Sequence, residues 1–357
     1  MNNDPGANAR VLRVVQWATG YVGTHALKKV IEHPRLELVG VHVFTEAKEG
    51  KDAGELCGLP PTGIKATRSI EAVIALRPDC VLYMQEGVDY GDVCRLLEAG
   101  INIVTTRAEF HDGSRLPPDI RGRVEAACRK GGSSIHATGS SPGFITEALP
   151  IVLASIQRRI DAIVIDEFAN MVDGCSPFML FETMGYGKPP ATFDENRLGM
   201  VHNGFRQSLE LLGAALGKPI DEIVASAETA CATRPIEVPG EGGGTIPAGT
   251  LAAERVTLRA MHKGEAFITF RANWYCSKDI DADWPLRDVG WRVQMAGDCP
   301  LDVDIHFPIA KQDMVATLAG YTAHRPINAI RAVVEAPPGM VSITDLPMIV
   351  ADIGARD

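Results

Sequence analysis

Glu109 sits in the run Thr105-Thr106-Arg107-Ala108-Glu109-Phe110-His111, directly after a short apolar segment, Ile101 to Thr105. A carboxylate at the mouth of a buried strand suits proton exchange with an amine, because burial moves its pKa toward neutrality. From position alone, a surface glutamate near a helix start is the favoured reading. His111 beside it reads more simply as a surface polar group. A second chemistry-bearing run is Val14-Val15-Gln16-Trp17-Ala18-Thr19-Gly20-Tyr21-Val22-Gly23. There an apolar strand enters a turn with two glycines three residues apart, and an amphipathic helix begins. That order suits a dinucleotide, since the turn admits a pyrophosphate to the backbone and the helix N-terminus offers free N–H groups. The full fingerprint has three glycines; here Trp17 or Ala18 stands in the first-glycine region and Thr19 follows. A third run, Asp166-Glu167-Phe168-Ala169-Asn170, closes a long strand pattern. Asn170 is placed to bind a substrate carbonyl or amine, whereas Asp166 and Glu167 read as strand-edge charges. His136 lies within a strand pattern and reads as a satisfied core residue.

These groups need a scaffold, and the chain has the length for one. Its 357 residues fit about two domains, and 46% hydrophobic with 22% charged residues is ordinary globular composition with ample core. A net charge of −10 argues against non-specific nucleic-acid binding, which needs a basic surface. The eight cysteines are scattered, without C-x-x-C pairs or zinc-ligand spacing, so no metal is expected and they read as small core residues in a reducing compartment. Met1 to Arg10 is polar, without a signal-peptide core, and no apolar run approaches a membrane span, so the expectation is a cytoplasmic protein.

Through residue 143 strand and helix patterns alternate. Strands are expected at Val11–Trp17, Leu36–Phe44, Cys80–Met84, Ile101–Thr105 and Ser134–Thr138, with helices at Tyr21–Glu32, Ile70–Leu76, Tyr90–Glu98 and Asp119–Lys130. The pattern predicts an α/β domain with a mostly parallel sheet of Rossmann type over 1–143. After Pro142-Gly143 the texture changes. Helices are expected at Ile145–Gln157 and Phe205–Leu216, and strands at Ala162–Met171, Glu254–Met261, Ala266–Trp274, Gly290–Met295 and Leu301–Phe307. Strands in succession predict an α+β domain with a mostly antiparallel sheet over 144–322. The run Gly240 to Gly244 reads as a mobile hairpin or loop. Pro326 to Ala336 returns to helix, and the segment 323–357 is expected to pack back on the first domain.

In open α/β sheets, ligands bind beyond the carboxyl ends of the strands. That selects Thr19, Gly20, Tyr21, Val22, Gln85, Thr105 and Ser141 as cofactor-binding positions. The second strand ends His42-Val43-Phe44-Thr45, where an acid would hold the ribose hydroxyls of NAD; the nearest acid is Glu46, one step late. Thr45, Lys48 and Lys51 are instead placed to meet a 2′-phosphate. NADP is therefore favoured, with NAD accepted as well, although the lysines equally decorate a solvated loop.

Four stretches together resemble one family. They are the N-terminal VVQWATGYVG, the Thr-Arg-Ala-Glu-Phe-His segment, Thr138-Gly139-Ser140-Ser141-Pro142-Gly143-Phe144, and Ala336-Pro337-Pro338-Gly339 with Asp345-Leu346-Pro347. The chain is similar over nearly its whole length to 2,4-diaminopentanoate dehydrogenase and the related native NAD(P)-dependent amine dehydrogenases, whose first domain is like that of dihydrodipicolinate reductase. The resemblance implies a Rossmann domain, a substrate domain that also forms a homodimer, and reversible oxidative deamination of an amine. It maps an essential ammonia-handling glutamate onto Glu109, and a second-domain asparagine onto Asn170. The family often has asparagine where this chain has Ser141, which bears on the exact substrate. The adjacent histidines and nearby lysine of dihydrodipicolinate reductases are missing around Glu167 to Phe178.

The expected chemistry follows. Ammonia, deprotonated with help from Glu109, attacks a ketone or aldehyde; water leaves; the iminium then takes hydride from NAD(P)H. Asn170 orients the substrate. Phe144, Phe168, Phe178 and Met179 and the turn Tyr321 to Arg325, with His324 and Arg325, line the pocket. The apolar members suit a small, mostly apolar carbonyl or amine, and equally suit interdomain packing. Arg325 or Arg107 would meet a substrate carboxylate. The partners expected are a small amine or ketone plus ammonia, with neither nucleic acid nor membrane. The rivals are a carbonyl reductase that needs no ammonia and a non-catalytic NADP-binding protein.

Overall fold

The computed structural model describes residues 10–190, 193–240 and 242–352. They form two compact units, one of 1–144 with 319–357 and one of 145–318. In the first, strands and helices alternate: β1 (Leu12–Trp17), α1 (Tyr21–Glu32), β2 (Leu36–His42), α2 (Ala53–Leu56), β3 (Ala66–Thr67), α3 (Ile70–Ala75), β4 (Cys80–Tyr83), α4 (Tyr90–Glu98), β5 (Asn102–Thr105), α5 (Pro118–Gly131) and β6 (Ser134–Ala137). In the second follow α6 (Leu149–Ala154), β7 (Ile160–Asn170), α7 (Met171–Gly174), α8 (Glu195–Ala215), β8 (Glu222–Cys231), β9 (Ile236–Val238), β10 (Gly244–Ile246), β11 (Leu251–His262), β12 (Glu265–Tyr275), β13 (Gly290–Gly297) and β14 (Leu301–His306). Helix α9 (Met314–Val334) leads back into the first unit, which ends with β15 (Gly339–Met340).

The first unit is a seven-stranded sheet in the order β15-β6-β5-β4-β1-β2-β3, with every pairing parallel. Parallel strands covered on both faces are buried along their length, and these are: all four residues of β4 are buried, as are Val14, Val15, Trp17 and the polar Gln16 of β1. The chain reverses its direction of winding between β1 and β4, so the turns after these two strands share one end of the sheet. Ala323, Ile327, Ala329, Ile330 and Val333 of α9 and Ile349 complete the core formed by Val14, Leu27, Val30 and Leu38.

The second unit is a six-stranded sheet, β14-β13-β7-β12-β11-β8, antiparallel except for the β7–β12 pair. α8 packs on one face, stacking Phe205 on Phe270 at 4.2 Å. Arg197 of α8 forks onto Glu254 of β11, which is 2% exposed. Burial raises the Glu254 carboxyl pKa against the pull of that guanidinium. Asp166 and Glu167 are not strand-edge charges. β7 is an interior strand, so Asp166 is buried and forked by Arg271, and Glu167 accepts from the Trp291 indole at 3.3 Å.

Two further expectations change. Residues 321–325 are not a turn, because α9 starts at Met314 and carries Pro326 inside it. The proline forfeits only the bond its N–H would give to Thr322, so the helix continues. The helix expected over Ile145–Gln157 is regular only across Leu149–Ala154; Ser140–Ala148 before it is a wide turn broken at Ser141, Pro142 and Gly143. The glycine run is a β9–β10 hairpin, with Glu241 outside the described residues. Cys80, Cys128, Cys231 and Cys276 are buried, while Cys57, Cys94 and Cys175 are half-buried and Cys299 is exposed. No helix among the described residues is long and apolar enough to cross a membrane.

Candidate active site

The turn after β1 supplies what the missing first glycine would. Ala18 adopts φ +72°, the left-handed conformation that glycine takes freely, and its N–H bonds the His42 carbonyl at 2.9 Å. The two glycines do different work. A Cβ on Gly23 would stand 2.3 Å from the Ala18 carbonyl oxygen, so Gly23 lets α1 close on the turn. A Cβ on Gly20 would meet nothing within 4 Å, so Gly20 leaves open space before the helix. α1 has Gly20 as its N-cap, without a capping side chain or an acid in its first turn. The helix's own cap and first turn thus place no carboxylate at the positive end of its dipole, which fits a cofactor pyrophosphate.

Around this turn several side chains are held tightly. Trp17 is fully buried, stacked on His42 with ring centroids 3.6 Å apart, and donates to Gln85 Oε1 at 2.8 Å. An indole only donates, so this bond turns the Gln85 NH2 group away from Trp17 as a spare donor after β4. His42 contacts the Arg68 carbonyl through Nε2 at 3.2 Å, and burial lowers its pKa below 6.5. Phe44, half-exposed, stands edge-on to His42 at 5.0 Å. Lys48 donates to the carbonyl and hydroxyl oxygens of Thr19 at 2.8 and 3.1 Å, placing an ammonium at the same turn. Thr45 and Lys51 are exposed, Tyr21 is 53% exposed and Val22 packs into the core.

Beyond β5, Thr105 is fully buried and its hydroxyl is already engaged. It donates to the Tyr83 carbonyl at 2.6 Å and accepts from the Arg107 N–H at 3.1 Å. Thr105 therefore shapes the following turn rather than presenting a free hydroxyl to a cofactor. In that turn Arg107 Nη2 donates to Glu109 Oε1 at 3.0 Å. Arg107 Nε and Glu109 Oε2 are buried without a hydrogen-bond partner. Burial raises the Tyr90 hydroxyl pKa, the Glu109 charge adds to that shift and the Arg107 charge opposes it, so all three form one electrostatic group. His111 is buried, not a surface histidine, because the turn carries it inward beside buried Phe110. His136 is the core residue expected, its Nδ1 meeting the Val341 carbonyl at 2.8 Å.

After β6, Ser140 and Thr322 share a hydroxyl bond of 2.7 Å, while Ser141 Oγ is buried and unpartnered. The Arg325 guanidinium lies 5.8 Å above the Phe144 ring and reaches the Ile349 carbonyl at 3.4 Å. His324 is exposed.

In the second unit Asn170 caps α7. Its Oδ1 accepts from the Val172 N–H at 3.0 Å and its Nδ2 donates to Asp173 at 2.9 Å, leaving one amide hydrogen. Phe168 is buried among Ala230, Ala253 and Tyr275, a core position, whereas Phe178 and Met179 are 73% and 47% exposed. No group of three or more His, Cys, Asp or Glu side chains among the described residues could hold a metal ion.

Residues 144–356 match the C-terminal domain family of 2,4-diaminopentanoate dehydrogenase. An amine dehydrogenase of Streptomyces virginiae is 30% identical over 358 residues, covering 95% of this chain and 97% of that protein. The 2,4-diaminopentanoate dehydrogenase of Acetoanaerobium sticklandii is 24% identical over 127 residues, 34% of this chain and 35% of that one. The fold is shared with the amine dehydrogenase of Mycobacterium smegmatis, at a TM-score of 0.74 and 18% identity, covering 96% of this chain and 97% of that structure. The chain therefore belongs to the family of 2,4-diaminopentanoate dehydrogenase and the related amine dehydrogenases.

Proposed function

We propose that this chain catalyses the reversible oxidative deamination of a small amine, which in reverse is the reductive amination of a ketone or aldehyde with ammonia. One observation carries the reading: Glu109 is held through Oε1, while its other oxygen is buried and unpartnered. A fixed carboxylate oxygen with nothing bonded to it is suited to take a proton from ammonium and to face a cationic iminium. Arg107 and Thr105 keep it in place. Asn170 would direct its remaining amide hydrogen to the substrate. When bound, a nicotinamide cofactor supplies the hydride donor or acceptor. Gly20 leaves room for its pyrophosphate, the Gln85 NH2 would meet a ribose or phosphate oxygen, and Lys48 would meet a 2′-phosphate. With no acid from His42 to Thr45, we propose NADP as the preferred form, with NAD also accepted. A homodimer built on the second unit and a cytoplasmic location belong to the same proposal.

The test is a panel of short ketones and aldehydes with either reduced cofactor, with and without ammonium, following nicotinamide absorbance. Oxidation that requires ammonium supports the proposal. Oxidation at the same rate without ammonium would make the chain a carbonyl reductase. Cofactor binding without oxidation across the panel would make it a non-catalytic NADP-binding protein.

A further inference from the structure

Three arginines of this chain offer a carboxylate the same guanidinium edge, Nε together with Nη2. Arg271 closes that fork on Asp166 at 2.6 and 2.8 Å, and Arg292 closes it on Asp302 at 2.8 and 2.5 Å. Arg107 leaves it half open. Its Nη2 reaches Glu109 Oε1 at 3.0 Å, while Nε and Oε2 are both buried and unpartnered. The local chain imposes this. The two residues are separated only by Ala108 in a single turn of 3-10 helix, and the Arg107 backbone is tied to Thr105 Oγ1 at 3.1 Å. A buried polar atom left unpaired is costly. A guest that satisfies this donor and this acceptor together is therefore favoured.

We infer that the open fork binds the oxygen atom exchanged in the reaction, which makes Arg107 a second catalytic residue. The inference rests on the proposed role of Glu109. A carbonyl oxygen only accepts, which suits the Nε–H. A hydroxyl accepts from Nε–H and from Oε2 while that oxygen holds its proton, and water accepts from Nε–H and donates to the ionised Oε2. The substrate oxygen passes through these forms in turn. Ammonium gives one proton to Oε2, and the nitrogen then attacks the carbonyl carbon. A C–N bond forms as the C=O π pair moves onto the oxygen, which the Nε–H stabilises. A proton passes from nitrogen to that oxygen, giving a hydroxyl. The C–O bond breaks, the proton held on Oε2 joins the departing oxygen as water, and the nitrogen lone pair completes the iminium. Ammonium and carbonyl become iminium and water, nothing is oxidised or reduced, and Glu109 returns to its ionised form.

The oxygen step and the hydride step separate in the direction of amine oxidation, where hydride leaves first and water attacks afterwards. Rapid mixing of oxidised cofactor and amine therefore reads the first turnover apart from the steady state. Arg107→Lys and Arg107→Gln should lower the steady-state rate by about a hundredfold, the usual size for losing one oxyanion donor, and the first-turnover rate by much less, through the loosened Glu109. Cofactor titration should be unchanged in both variants. Equal slowing of both phases would show that Arg107 only holds Glu109, and no slowing of either would show that the fork is idle; each overturns the inference. A measurement without variants is the C=O stretch of a labelled ketone bound to the wild-type protein with oxidised cofactor. A shift to lower frequency is expected, and an unshifted band overturns the inference. If the wild-type protein oxidises no amine, the functional proposal itself fails and takes this inference with it.

Discussion

The indole N–H of Trp17 donates to Gln85 Oε1 at 2.8 Å, joining the turn after β1 to the turn after β4. A parallel sheet brings these turns to one end, but only a side chain as long as tryptophan bridges them from the buried end of β1. The bond orients the amide that we assign to the cofactor. Trp17→Phe should preserve the fold and raise the cofactor dissociation constant about fivefold, the scale of one net hydrogen bond. Fluorescence titration with the reduced cofactor measures it; unchanged affinity would show that the Gln85 amide is not a cofactor ligand.

The glycines of the turn should separate by mechanism. Gly23→Ala forces a Cβ to 2.3 Å from the Ala18 carbonyl, so the turn must open and the thermal midpoint should fall by several degrees along with cofactor binding. Gly20→Val has room in the folded chain and should melt as the wild type does, yet lose about tenfold or more in cofactor affinity by filling the approach to the helix N-terminus. Equal affinity for Gly20→Val and wild type would place the pyrophosphate elsewhere.

His42 makes stability depend on pH. Burial holds its folded pKa below 6.5, so its neutral form is the one the folded state favours. As pH falls through 6.5 the unfolded chain takes up the proton first, and this contribution to stability is lost across the window from 6.5 down to the lowered folded value. The slope is at most about 1.4 kcal/mol per pH unit. Urea unfolding at stepped pH should show it, and His42→Phe, which keeps a ring against Trp17, should remove that part of the slope. An unaltered slope in the variant would assign the acid sensitivity to other groups.

Some of this organisation is legible in the sequence. α1 runs from Tyr21 to Glu32 as its 3–4 periodicity and the glycine before it predict, and β4 is a continuous buried run because a central parallel strand needs one. β8 was not legible: its small, mixed residues are half-exposed, so Glu222 to Cys231 shows no alternation. α8 begins at Glu195, ten residues before the apolar period of Phe205, because Asp194 caps a polar first half. Pro326 reads locally as a helix start, whereas the helix runs through it. At the site, Glu109 can be picked out by its place after a buried strand. Its oxygen-by-oxygen partnership with Arg107, and the engagement of the Thr105 hydroxyl by Tyr83 and Arg107, depend on side-chain directions that spacing does not encode.

The central claim is that Glu109 handles the proton of ammonia, and Glu109→Gln tests it most directly, since it keeps the shape and removes the base. The measurement is amine-dependent reduction of the oxidised cofactor by wild type and variant at matched cofactor saturation. Amine turnover should fall by about a hundredfold or more while cofactor affinity stays the same. Amine turnover within a few fold of wild type would contradict the account.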